Sequence, residues 1–150
     1  MFGDENRRTD WFKHGQSMPV PIDVMQRVQQ RLIGELMGSE VWGVDGEAVR
    51  NEIGDDEFEG GGNHARYLYI PAGQIWIEWC LPMHAWPPLI LHEYVEQYAM
   101  TMLGLNYEQA HNRARICERN FRAADRERFR CASTQDVLAL AARELPNCLG

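Results

Sequence analysis

The chain has 150 residues, with 15 Lys and Arg against 22 Asp and Glu, a formal net charge of -7, and 45% hydrophobic and 10% aromatic residues. A chain of this length buries roughly 68–70% of its unfolded surface in one core, so collagen-like, coiled-coil and fully disordered architectures are excluded and a single domain is expected. No apolar run approaches the ~20 residues that span a bilayer, the first residues are charged without the apolar stretch of a secretory signal, and the acidic balance argues against a nucleic-acid partner.

In chain order, residues 1–20 read as a flexible tail ending at Pro19 and Pro21, with 21–150 as the folded domain. A helix is expected over about Val24 to Met37, with Asp23 as N-cap, Gln26 completing a capping box, Gly38 at its end, and Val24, Val28, Leu32 and Leu36 on one face. Asp45-Gly46 then suits a hairpin turn after a strand at Val41–Val44. Residues 55–62, acidic and glycine-rich, read as a mobile, solvated loop without the ligand spacing of an EF-hand. Two strands, Arg66–Ile70 and Gln74–Cys80, are expected to pair through Pro71-Ala72-Gly73.

The second half reads as three helices. The first covers about Pro88 to Leu103 and ends at Gly104; the second follows Asn106, with Gln109 completing a capping box, and runs to about Arg130. The third covers Thr134 to Glu144 and is closed by Pro146. The expected fold is therefore α+β: an N-terminal helix, a small antiparallel sheet of hairpins, an αα-hairpin and a further helix.

Cys80, Cys117, Cys131 and Cys148 are scattered without a C-x-x-C pair, which argues against a disulfide framework or a zinc ribbon. Unpaired thiols suit a reducing compartment, so the cytoplasm is the expected location. Lys13 is the only lysine, and seven of the arginines lie between Arg113 and Arg130 against three acidic residues, a local balance of +4. That segment reads as a solvated face, with arginine spread around the helix rather than aligned on one stripe.

The residues most able to carry chemistry sit in the αα-hairpin. His92 and Glu96 are four apart and share a helix face with Val95, Ala99 and Leu103, the stripe that should meet the core. On the second helix, His111 and Glu118 sit among Ala110, Ala114, Cys117 and Phe121. Antiparallel packing places Glu96 roughly level with His111 and His92 roughly level with Glu118. Buried carboxylates must be neutralised by protons, arginines or a metal, and two imidazoles with carboxylate are a ligand set for zinc and for non-haem iron. His14, His64 and His84 have no spacing that argues for a site, Trp76, Trp79 and Trp86 read as core aromatics, and Cys117 as inert packing.

His92-Glu93-x-x-Glu96, preceded by a hydrophobic hairpin, resembles the active-site helix of zincin-like metallopeptidases in a degenerate HExxE form. The later helix with His111 and Glu118 is similar to the ligand-bearing second helix of the gluzincin branch. The resemblance covers about Arg66 to Arg122. It implies His92 as a ligand, Glu93 as general base, Glu96 as ligand where the family has histidine, and His111 or Glu118 as the third. Taken with the residue reading, His92, Glu96 and His111 are the first-choice ligands. Glu118 is a fourth ligand or a support behind them, because it lies ~10 Å along the helix from His111.

The metal implied is divalent, zinc foremost, with iron or manganese as the alternatives toward which the carboxylate in place of histidine shifts the preference. The substrate implied is a peptide or protein segment laid along the hairpin edge. The competing reading is a non-catalytic interaction module, in which the His/Glu seam is structural and the arginine-rich helix binds an acidic partner.

Overall fold

In the computed structural model, which describes residues 20–124 and 133–149, helix α1 (Ile22–Val28) runs directly into strand β1 (Gln29–Leu36). The helix expected to reach Met37 stops at Val28. Met37 and Gly38 take positive φ values of 49° and 86°, forming the two-residue turn that folds β1 back, antiparallel, on β2 (Ser39–Val44). Pairing with β2 overrides the helical spacing of Leu32 and Leu36: Leu36 is buried, while Leu32 is 47% exposed.

Asp45-Gly46 is not a hairpin turn. The Asp45 carboxylate accepts from the backbone amides of Glu47 (3.0 Å) and Ala48 (3.3 Å), capping a helical segment that continues through Ile53. The acidic loop that follows is anchored rather than solvated throughout. Asp55 is buried and accepts from the Tyr69 hydroxyl at 2.7 Å, and Phe58 is buried beside it.

Strands β3 (Gly61–Asn63) and β4 (Gln74–Glu78) complete a sheet of order β1-β2-β4-β3. The sheet is mixed, not a set of antiparallel hairpins. β2 and β4 are parallel, because residues 45–73 carry the chain across before β4 begins, and β3 pairs antiparallel with β4 at the edge. Residues 66–70, expected as a strand, are a loop. The Asn63 side-chain oxygen takes the amides of Ala65 (3.0 Å) and Arg66 (3.1 Å), turning the chain away and leaving the β4 edge to β3. Gly61 is required there, since a Cβ would stand 2.8 Å from the Trp76 carbonyl oxygen.

The alternation of β4 sends Ile75 and Ile77 to one face and Trp76 to the other. On the first face pack α2 (Trp86–Thr101), α3 (Tyr107–Ala124) and α4 (Thr134–Leu149); on the second, Val28, Val44, Val49, Phe58 and Ile70 gather around Trp76. The αα-hairpin of α2 and α3 is as expected, and Asn106 and Gln109 exchange the two hydrogen bonds of a capping box. Helix α4 passes through Pro146 rather than stopping before it. Both Pro146 and Ala142, whose carbonyl loses its partner, face solvent, where water can serve it. The expected tail up to residue 19 and the extension of α3 over 125–130 lie outside the described residues. Among the described residues no helix is long and apolar enough to cross a membrane.

Cys117 and Cys148 form a disulfide between α3 and α4, with Cα atoms 5.4 Å apart. The expectation of unpaired thiols is overturned for these two, because the pairing is made by helix packing and leaves no mark in sequence spacing. Cys80 is free and exposed, and Cys131 lies outside the described residues. A cross-link spanning 31 residues contributes about 4 kcal/mol through the unfolded state. Non-reducing peptide mapping should therefore recover a Cys117–Cys148 cross-linked fragment, and C117S/C148S should melt several degrees lower. Quantitative alkylation of both thiols in the unreduced protein would contradict the pairing.

Candidate metal centre

Helix α2 is packed by the sheet, α3 and α4, so Ile90, Leu91, Val95 and Ala99 are buried, and so are His92, Glu93, Glu96 and Gln97. Placing polar groups there is costly unless each is paired. His92 and Glu96, one turn apart, face α3. The antiparallel course of α3 brings His111 to Glu96 and Glu118 to His92, the levels expected from the length of the turn.

The pairing is specific. His92 Nδ1 donates to Glu118 Oε1 at 2.9 Å, while its Nε2 faces Glu96 Oε2 at 3.3 Å. His111 Nδ1 lies 2.8 Å from the same Glu96 oxygen and 3.2 Å from the Tyr107 hydroxyl. Arg122 donates to Glu118 Oε2 through Nε (3.1 Å) and Nη2 (2.9 Å), fixing that carboxylate behind His92.

On the other side stands Asn63, fully buried at the end of β3. Its amide nitrogen donates to Glu93 Oε1 (2.9 Å) and Glu96 Oε1 (3.1 Å), one hydrogen for each carboxylate. Glu96 thus keeps Oε1 for Asn63 and presents Oε2 to the two imidazoles. Asn63 was not legible as a site residue: it lies outside the helices, carries no periodicity, and acquires its place only when β3 pairs with β4.

His92, Glu93 and Glu96 line a cavity of about 220 Å³, walled by Tyr107, His111 and Glu118 from α3 and by Glu59, Gly61 and Tyr67 from β3 and its flanking loops. One ligand atom from each of His92, Glu96 and His111 lies within 4.8 Å of the others. Glu118 is not in that group, and it orients His92 from behind. His64 accepts the Gly73 amide at 3.1 Å and serves the loop, and His84 is exposed.

Burial and charge set the protonation states. Burial pulls the His92 imidazole down, but its contacts with Glu118 and Glu96 outweigh that and push it up to about 10. Burial, reinforced by the Glu96 charge, pushes Glu93 up to about 8. For Glu96 burial acts upward, yet His111 and His92 hold it below the usual carboxylate range; for Glu118, His92 and Arg122 overcome burial in the same way. The metal-free seam therefore holds two carboxylate anions, a charged His92 and a neutral Glu93 at neutral pH.

Comparison of the chain with family models, with characterised proteins and with solved structures gives no match.

The signs combine into one trend. Neutral Glu93 stabilises fully below its ordinary range, and this is lost as pH rises to about 8. Charged His92 stabilises fully below about 6.5, and this is lost as pH rises through about 10. Metal-free protein should therefore melt progressively lower from pH 6 to pH 9 in thermal scans, and H92Q should flatten the upper part of that slope. A melting temperature that climbs over this range would contradict the assignment.

Proposed function

We propose that the protein is a metal-dependent hydrolase of peptide-type amides, with His92, Glu96 and His111 as ligands of one divalent ion, zinc foremost. The observation that carries this reading is the convergence of buried His92 and Glu96 with half-buried His111 on the wall of a cavity. The donor set is chemically suited: ligands of one tetrahedral zinc lie about 3.4 Å apart, within reach of small rotations of these three side chains. The zincin-like resemblance of His92-Glu93-x-x-Glu96 agrees with it, and no family match supports it independently.

Each side chain has a separate task. Glu118, anchored by Arg122, holds the Nδ1 hydrogen of His92 and leaves Nε2 free to bind. Asn63 holds Glu96 so that a single oxygen, Oε2, faces the imidazoles. A bound zinc ion supplies Lewis acidity, lowering the pKa of water and polarising a carbonyl. Glu93, one residue from the first ligand and on the cavity wall, would serve as the base once a bound cation favours its ionised form, taking the proton of the attacking water and returning it to the leaving nitrogen.

The network also favours a second reading. His92, Glu93, Glu96 and His111 each have a partner within the protein, so the seam can serve as a structural lock between α2 and α3 in a non-catalytic module.

Elemental analysis of untagged protein separates the two readings. The metal reading expects one tightly held equivalent, lost in H92A and H111A, with E93Q retaining the metal and losing about 10²–10⁴-fold of any peptide hydrolysis. Protein that takes up no metal, with H92A and H111A melting clearly lower than wild type, would leave the structural lock.

A further inference from the structure

Of the four described arginines on α3, Arg115, Arg119 and Arg122 share one exposed stripe. At 100° per residue they fall within about 60° of arc. The expectation that arginine is scattered around this helix therefore fails for three of the four, and only Arg113 points to the opposite side. At the same 100° per residue the stripe lies next to the helix face that carries the cavity-lining Tyr107, His111 and Glu118, on its solvent side. Arg122 is tied to Glu118, and Arg27 and Arg50 elsewhere are each paired with glutamate. Among the described residues Arg115 and Arg119 have no carboxylate partner. Instead they stand i,i+4 to each other, a like-charge spacing that weakens a helix.

We propose that Arg115 and Arg119 recognise acidic side chains of an extended polypeptide segment lying across the mouth of the cavity. The charges match and so does the repeat: residues four apart on a helix rise about 6 Å, close to the ~6.8 Å between alternate side chains of an extended chain. A polypeptide fits better than a nucleic acid. The opposite wall of the cavity carries Glu59, next to exposed Asp56 and Glu57, and the whole chain is at -7. A continuous polyphosphate would be repelled there, whereas a peptide can confine its acidic residues to the α3 side. What happens to the bound segment rests on the hydrolase reading; its capture does not.

The test uses full-length protein carrying E93Q, so that no turnover intervenes, and measures fluorescence anisotropy with three labelled probes. They are a twelve-residue peptide with glutamate at alternate positions, its glutamine counterpart, and a twelve-residue oligothymidylate. The glutamate peptide should bind about tenfold more tightly than the glutamine peptide, with the difference shrinking as salt rises. R115E/R119E should abolish the preference, and R113E, on the far side of the helix, should retain it. Equal binding of the two peptides, an unchanged preference in R115E/R119E, a loss as large in R113E, or tighter binding of the oligothymidylate would each overturn the proposal. Metal content measured on the same samples keeps the two readings apart. A preference without metal leaves the arginine row standing and removes the hydrolase, and metal without a preference does the reverse.

Discussion

Burial of two glutamates within one turn of α2 is the constraint on which the site depends. Glu93 and Glu96 lie on a helix covered by the sheet, α3 and α4, where an unpaired carboxylate would cost several kcal/mol. The surroundings meet that cost in two different ways. Glu96 stays charged between two histidines, whereas Glu93, hydrogen-bonded by the Asn63 amide and next to the Glu96 charge, keeps its proton. The same arrangement aligns α2 with α3 and pins β3 to α2 through one asparagine.

That dependence explains which parts were legible in the sequence. The αα-hairpin was, because the apolar stripes on both helices, Gly104 and the Asn106-Gln109 capping box are local signals that tertiary packing did not override. The levels at which His92 meets Glu118 and Glu96 meets His111 followed from counting turns outward from a short connection. The distinction between a ligand and its support did not: only the side-chain geometry shows Glu118 facing the Nδ1 edge of His92, with Arg122 behind it.

The sheet was harder to read for physical reasons. Gln29–Leu36 satisfies both a helical and an extended pattern, and the decision rests on a partner, β2, reached through a turn at Met37-Gly38. Arg66–Ile70 has the composition of a strand, yet its first residues are captured by the Asn63 side chain and the β4 edge goes to three residues of a glycine segment. Glycine has no periodicity to read, but its lack of a Cβ is what lets β3 approach Trp76 and Glu93. The Cys117–Cys148 disulfide belongs to the same class, a consequence of packing between helices that sequence spacing cannot display.

The central claim is the proposed metal centre, one divalent ion held by His92 and Glu96 of α2 and His111 of α3. X-ray absorption at the zinc edge of zinc-loaded protein tests this most directly. The account predicts two imidazole nitrogens and at least one carboxylate oxygen at about 2.0–2.2 Å, with no sulfur shell. A shell of sulfur at about 2.3 Å, or of oxygen alone without imidazole scattering, would place the metal elsewhere and contradict it.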